Sequence, residues 1–347
     1  MPKDNEKMPL FDVGPLTPTE PQAFTPEQMV QCEKCKRSNP PTRVTCLYCG
    51  HPFAFDDKIA NLQKPTLRPL ERWEQGYNNI FLPAQLNQSP GKIDEVATLL
   101  KLNQQDVRRI LESGSPLPLA RAASHDEALL IERRLKDFGL RTLILSDADL
   151  GIEELPPVRI RAGELTEDGM WAHQSGGGDS IHLAWNDLRL VVLGRLTVKM
   201  LEVQEHPVAG KENQILDARE TFSDELVVDL YSSAIESNLR ISANSFDFTC
   251  LGNRKGLLAI ENFKSMLQLF TELAPDAIVD DSFKGLRQTL EPVWSAEKQT
   301  GSQGWRRTRP GKYVMGALTE VSNESQFTRY SRLRNHVLHH PHLYEAK

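Results

Sequence analysis

The 347-residue sequence predicts an α+β protein built from several small domains. Three observations support this prediction. Two cysteine pairs lie in the first fifty residues, apolar residues recur at helical spacing between Ile93 and Phe138, and short β-rich runs follow from Val158 onward. A chain of this length is longer than a single hydrophobic core usually accommodates, so two or three compact units are expected. With 39% hydrophobic and 25% charged residues, the composition is that of an ordinary globular protein.

The first of these observations carries the strongest chemical signal. Cys32, Cys35, Cys46 and Cys49 form two Cys-x2-Cys pairs with ten residues between them. This is the spacing of a structural zinc site, in which four thiolates fill the tetrahedron and leave no position open for a substrate. Disulfides are the alternative, but a chain with only 5 cysteines lacks the cysteine density of a secreted scaffold. We therefore predict one structural Zn²⁺ in a reducing, cytoplasmic compartment.

The segment from Cys32 to Phe53 resembles the Ran-binding-protein type of zinc finger and the short zinc ribbons at the N-termini of many bacterial proteins. The resemblance rests on the cysteine spacing, on Asn39 four residues after Cys35, and on the proline-rich turn that follows. Val30 stands where the eukaryotic finger usually carries a tryptophan, so the bacterial ribbon is the closer match. Gly50 is expected to supply the positive φ that the second cysteine loop needs.

Residues 79–147 show the pattern of a strand, a helical hairpin, a proline-rich link at 116–119, a third helix and a second strand. Asn103 and Ser124 are placed to cap the second and third helices. The order resembles the C-terminal domain of the bacterial ribosomal stalk protein and the Clp protease adaptor. Both are protein-docking modules, so the resemblance implies protein contacts.

The hairpin also fits the register of a helix-turn-helix, which leaves DNA reading open as an alternative. In that alternative the outer face of the second helix contacts the bases. Its residues are Gln104, Gln105, Arg108 and Arg109.

From Val158 to Ala274 the pattern changes to short β-rich runs separated by turn signals, and a helix closes the region. The predicted strands include 188–193, 197–203 and 246–251. About seven antiparallel strands followed by one helix resemble the pleckstrin-homology-like architecture. That resemblance implies peptide binding, phospholipid binding or a purely structural role.

The last region combines a predicted helix at 282–294, a basic-aromatic segment and a final helix at 326–338. This end is locally basic, although the formal net charge of the chain is -6. The segment either contacts nucleic acid or an acidic partner, or forms a tail that packs its aromatic residues inward. We favour the packed tail because the rest of the chain is negative. The candidate contact residues are Trp305, Arg306, Arg307 and Arg309.

The sequence contains no phosphate-binding glycine loop and no nucleophile elbow, and no catalytic residue is predicted. A C-terminal histidine cluster offers a second metal site as an alternative reading. Cys250 is expected to be a buried apolar residue rather than a nucleophile. No apolar run reaches the roughly 20 residues that span a bilayer, so no membrane segment is expected. The cluster consists of His336, His339, His340 and His342.

The sequence thus predicts a cytoplasmic, non-enzymatic zinc-binding protein that acts as a protein-interaction or scaffolding module. The alternative is a nucleic-acid-binding regulator that uses the ribbon, the helical hairpin and the basic C-terminal segment. The predicted organisation is a leader at 1–28, the zinc ribbon at 29–54, a linker at 55–78, an α/β domain at 79–147, a β-rich domain at 158–275 and a helical and basic-aromatic segment at 276–347.

Overall fold

The structure is a computed structural model, which describes residues 29–41, 43, 45–51, 53, 65–71, 73–83, 92–206, 214–309 and 312–344. The side chains of 204–217 and 303–315 lie outside this description, as does the predicted leader. The chain divides into two compact units, Met1–Gln63 and Lys64–Lys347. The finer division of residues 64–347 into domains stays a prediction.

In the small unit, strand β1 (Val30–Gln31) pairs antiparallel with strand β2 (Ser38–Asn39). Among the described residues of this unit, the buried apolar core consists of Cys32, Cys46 and Phe53. So small a core does not order a chain without a metal or a cross-link.

The large unit begins with a three-stranded antiparallel sheet and three helices, which are β3 (Tyr77–Phe81), α1 (Ile93–Leu100), α2 (Gln104–Glu112), β4 (Pro118–Ala122), α3 (His125–Asp137) and β5 (Thr142–Ser146). Strand β3 lies in the centre, between β4 and β5. The predicted caps are confirmed. The side chain of Asn103 accepts a hydrogen bond from the Asp106 amide at 2.8 Å, and Ser124 accepts one from the Glu127 amide at 3.2 Å.

The prediction of a proline-rich link at 116–119 is wrong, because this segment leads into strand β4. Pro118 is the first residue of that strand, and β4 is an edge strand of its sheet. Proline is tolerated at such a position because its missing N–H is not required by a neighbouring strand.

A second, nine-stranded sheet occupies most of the remaining large unit. Its strands run in the order β13-β14-β9-β10-β11-β6-β7-β8, and β12 pairs with β9. The pairs β11/β6 and β12/β9 are parallel, and the other pairs are antiparallel. The elements are β6 (Val158–Leu165), β7 (Gly169–Gln174), β8 (Ile181–Ala184), β9 (Leu188–His206), β10 (Gln214–Ser232), β11 (Leu239–Ser242), α4 (Ala259–Leu273), β12 (Ile278–Asp280), α5 (Phe283–Leu290), β13 (Glu297–Arg309), β14 (Lys312–Ser322), α6 (Glu324–His339) and α7 (Pro341–Tyr344).

Two strand predictions in this sheet are corrected. The runs 188–193 and 197–203 belong to one continuous 19-residue strand, β9, which passes through Gly194. A Cβ at Gly194 would collide with the ring of Phe327, so glycine here lets helix α6 approach the sheet closely. The run 246–251 is mostly a 3-10 helix, Phe248–Arg254. Its first turn forms because the side chain of Asp247 accepts a hydrogen bond from the Thr249 amide at 3.0 Å. This local hydrogen bond competes with strand pairing.

The basic-aromatic segment is also different from the prediction, since β13 and β14 form a long hairpin that extends the large sheet. The pleckstrin-homology-like arrangement stays a prediction. The structure supports the broader statement of a mixed α/β protein.

Two apolar cores fill the large unit. One lies between α4 and the sheet, where Phe263, Met266 and Phe270 are buried. The other begins under α1, α2 and α3 and continues without a break to Phe327 and Tyr330 of α6. Among the described residues, no helix is long and apolar enough to cross a membrane.

Helix α6 is also held by buried charges. Arg240 is 1% exposed, and it donates two hydrogen bonds to the carboxylate of Asp229, at 2.7 and 2.8 Å. It reaches α6 through Glu324 at 3.0 Å and Thr328 at 3.1 Å. Burial opposes the charge on Arg240, but the carboxylate of Asp229 more than offsets this and raises the pKa of the guanidinium. The pair therefore fixes the position of α6 against β10 and β11.

Candidate metal centre

The two Cys-x2-Cys loops of the small unit follow the same backbone path, fourteen positions apart in sequence. The Cys32 amide donates to the carbonyl of Arg37 at 2.9 Å, and the Cys46 amide donates to the carbonyl of His51 at 2.8 Å. Each loop is therefore closed by the same hydrogen bond. The repeated path presents two pairs of thiols to one point.

Each loop turns at a residue with a left-handed backbone conformation. Gly50 has φ 68°, as predicted, and Lys36 takes the equivalent position in the first loop with φ 58°. Their amides donate back to the carbonyls of Cys46 and Cys32 at 3.0 and 2.8 Å. A lysine in this conformation costs about 1–2 kcal/mol, so the first loop holds a strained turn that the rest of the site must maintain.

The four sulfur atoms form one compact cluster. The Sγ atoms of Cys32 and Cys49 lie 3.6 Å apart, and those of Cys35 and Cys46 lie 3.5 Å apart. All four lie within 4.8 Å of one another. A tetrahedral zinc–thiolate site with Zn–S bonds of about 2.3 Å has sulfur atoms about 3.8 Å apart. The four cysteines are therefore positioned to bind one metal ion, and the donor set fits zinc.

Asn39 connects the strand pair to the second cysteine loop. Its side chain is fully buried and donates to the Sγ of Cys46 at 3.5 Å and to the carbonyl of Arg37 at 2.8 Å. Its carbonyl oxygen accepts the Leu47 amide at 2.8 Å. Asn39 thus orients the Cys46 sulfur, as outer groups around a metal site usually orient its ligands.

The Cys46 sulfur receives a second hydrogen bond, from the Tyr48 amide at 3.4 Å. Desolvation opposes ionisation of this thiol, but the backbone amides of Tyr48 and Cys49 and the neighbouring thiols more than compensate. Together they lower the pKa of Cys46 to about 6. The lowered pKa of Cys46 favours the thiolate, which is the form that binds a metal.

Two large apolar side chains lie between the ligands of the second loop and point away from the small core. Leu47 is 52% exposed and Tyr48 is 56% exposed. The guanidinium of Arg37 lies 4.8 Å from the centre of the Tyr48 ring, within the range of a cation–π contact. We call Leu47 and Tyr48 the knuckle tip. No sequence pattern singled out these two residues, because only the folded loop shows which side chains its small core leaves exposed.

Comparison with known proteins found no matching family model, no matching curated protein and no matching solved structure.

The predicted contact residues on α2 are all exposed, as a nucleic-acid contact would require: Gln104, Gln105, Arg108 and Arg109. Arg109 forms an ion pair with Asp106 at 2.9 Å on the same helix. The α2 face is therefore available to a partner, and its contact with DNA or protein stays a prediction.

Trp305, Arg306, Arg307 and Arg309 belong to strand β13, and their side chains lie outside the described part of the chain. The arginines further on do not form a surface. Arg329 and Arg332 of α6 are buried, and Arg332 donates to the carbonyl of Leu155. The basic composition of this helix thus reflects internal contacts, and the aromatic Phe327 and Tyr330 pack inward as the packed-tail interpretation expects.

The histidine cluster is held by ring contacts. The Nδ1 of His336 and the hydroxyl of Tyr344 lie 2.8 Å apart, and the rings of His336 and His340 are 4.6 Å apart. Within the described chain, the group of ligands close enough for a metal is the cysteine cluster. Cys250 is partly buried, and desolvation raises the pKa of its thiol, as expected for an unreactive cysteine.

Proposed function

We propose that the protein binds one structural zinc ion and uses the zinc-stabilised ribbon, residues 29–53, to dock onto a partner protein through the knuckle tip. The observation that carries this proposal is the closed set of four sulfurs beside two exposed apolar side chains. A filled tetrahedron leaves no position for a substrate, so the metal holds the loop that presents Leu47 and Tyr48.

The charge of the ribbon suggests the chemistry of the partner. Residues 29–53 contain four basic residues and one acidic residue, Glu33. We therefore expect an acidic protein surface with an apolar pocket for the knuckle tip. The basic residues are Lys34, Lys36, Arg37 and Arg43.

Elemental analysis of the reduced, purified protein tests the first part of the proposal. We expect one zinc ion per chain, and a Cys46→Ser/Cys49→Ser variant that retains less. Protein that contains no zinc although its thiols are reduced would contradict the proposed zinc site.

Crosslinking with mass spectrometry in native lysate tests the second part. A partner captured by the full chain should be lost in Leu47→Ala/Tyr48→Ala and retained in the control Leu257→Ala/Leu258→Ala, whose side chains are exposed in the large unit. A partner must also be lost on zinc removal. Capture that is insensitive to the knuckle tip would refute docking by the ribbon.

The second candidate function is nucleic-acid binding, favoured by the exposed glutamines and arginines on α2. It predicts an affinity for DNA or RNA that falls steeply with salt and weakens in Gln105→Ala/Arg108→Ala. Absence of detectable binding to DNA or RNA at low ionic strength would contradict this function.

A further inference from the structure

The large unit contains a cavity of about 500 Å³, a size within the usual range of small-molecule sites. Five separate stretches of chain form its wall. They are residues 67–71, the α1–α2 turn at 100–102, residues 119–121 of β4, residues 292–299 and Arg329 of α6. A site assembled from such distant segments leaves no motif in the sequence.

The charge of the wall is predominantly positive. The acidic residues of the wall are Glu71 and Glu297, whereas five basic residues line it. The basic residues are Arg68, Lys101, Arg121, Lys298 and Arg329. This excess of positive charge contrasts with the formal net charge of the whole chain, which is -6.

Two arginines in the wall share one carboxylate. Arg121 forms an ion pair with Asp147, and the Nε of Arg329 lies 3.8 Å from the other oxygen of the same carboxylate. Arg329 is 8% exposed. Within the described part of the chain, the Nε atoms of both arginines are buried and have no hydrogen-bond partner. Burial lowers the pKa of the Arg329 guanidinium and the charge of Arg121 adds to this effect, whereas the carboxylates of Asp147, Glu297 and Glu153 oppose it.

The rim of the cavity is pre-formed. The amides of Thr66 and Leu67 both donate to one oxygen of Glu127, at 2.5 and 2.7 Å, and Lys101 donates to the Thr66 carbonyl at 2.5 Å. These bonds hold Leu67 at φ 41°, an uncommon conformation for a leucine. The rim segment is thus fixed in place before any ligand arrives.

The wall also has an apolar side, to which Leu102, Leu119, Val293 and Trp294 contribute. The indole of Trp294 donates to Asn78 at 2.8 Å, which fixes the orientation of its ring. A ligand that fits this wall combines a negative charge with an apolar group.

We propose that this cavity, the Arg121–Arg329 cavity, binds a small organic anion that carries a carboxylate or a phosphate beside an apolar group. The anion lies beside the basic side chains of the wall, and the apolar group packs against Leu102 and Val293, which are only partly buried. This site is separate from the cysteine cluster and does not depend on the proposed docking role.

Calorimetric titration of the zinc-loaded full chain tests the proposal with three probes of one ring size. Benzoate and phenyl phosphate carry the two anionic groups, and benzyl alcohol is neutral. We expect at least one of the two anions to bind saturably at millimolar concentration or better and to weaken with salt, and the alcohol to bind more weakly. The stronger anion identifies the preferred group. Absence of binding by both anions, or equal binding of the alcohol, would overturn the proposal.

A matched pair of variants locates the binding. Lys298 is an exposed residue of the cavity wall, and Lys284 is an exposed residue of α5 outside the wall. Lys298→Glu should lower the affinity for the preferred anion about tenfold, because it reverses a unit charge beside a partly solvated ligand. Lys284→Glu should leave the affinity unchanged. Equal loss of affinity in both variants, or no loss in Lys298→Glu, would show that the anion binds elsewhere and would contradict the assignment.

Discussion

Replacement of Asn39 by alanine should weaken zinc binding although Asn39 does not touch the metal. The substitution removes the donor to the Cys46 sulfur and leaves the Leu47 amide without its acceptor. Both losses act on the second cysteine loop, one at a ligand atom and one at the adjacent backbone. The replaced side chain is fully buried, so water does not substitute for it without opening the loop.

The expected loss is between about 10-fold and 100-fold in zinc affinity, which corresponds to about 1.4–2.7 kcal/mol. Asn39→Asp should cost more, because a carboxylate in place of the amide donor repels the thiolate. At about 4 Å such a repulsion is worth about 1 kcal/mol in water and about 4 kcal/mol at the lower effective dielectric of a protein surface. The order of affinities is therefore asparagine, then alanine, then aspartate.

Competition with a chromophoric zinc chelator measures these affinities directly. Ser38→Ala is the matched control, since Ser38 precedes Asn39 on strand β2 and is exposed. Its affinity should equal that of the unmodified protein. If Asn39→Ala binds zinc as tightly as Ser38→Ala, the hydrogen bonds of Asn39 do not organise the site.

Three other outcomes are expected. Chelation of zinc should collapse the amide NMR dispersion of the ribbon, because its apolar core is too small to fold alone; a dispersed spectrum would show that the metal is dispensable. Gly194→Ala should lower the free energy of unfolding by about 1–3 kcal/mol, because the added methyl group collides with the Phe327 ring. Gly285 lies in open space on α5, so Gly285→Ala should raise the free energy of unfolding by up to about 1 kcal/mol. Equal denaturation midpoints for the two variants would contradict this prediction. Although burial opposes ionisation of Asp280, the Ser282 amide and Arg334 lower its pKa in the folded state. Its contribution to stability is therefore present above the unfolded pKa of about 3.9 and lost as pH falls through the folded value, and Asp280→Asn should flatten the acid limb of the stability curve.

Local signals in the sequence predicted the features that depend on neighbouring residues. The cysteine spacing predicted the cluster of four sulfur atoms, because a short loop brings two thiols to one point whatever surrounds it. Asn103 and Ser124 were identified as caps for the same reason, since each side chain bonds to an amide three residues ahead.

Long-range pairing was harder to predict. The sequence predicted two strands, 188–193 and 197–203, but β9 continues between them because β10 pairs with it on both sides of Gly194 and at Gly194 itself. The segment 301–309 carried no alternation typical of a strand, and it becomes part of β13 through pairing with β14. Sheet formation depends on partners distant in sequence, which a local pattern does not contain.

Local sequence patterns predicted the cysteine cluster, the helices with their caps and a mixed α/β protein, because these features follow from contacts within a few residues. The tertiary structure alone decided which charges are buried. Arg329 and Arg332 appeared as part of a basic tail, yet α6 lies against the rest of the large unit and turns them inward. The free energy of burying an arginine depends on the carboxylates that meet it, and Asp147 lies 182 positions away from Arg329 in the chain.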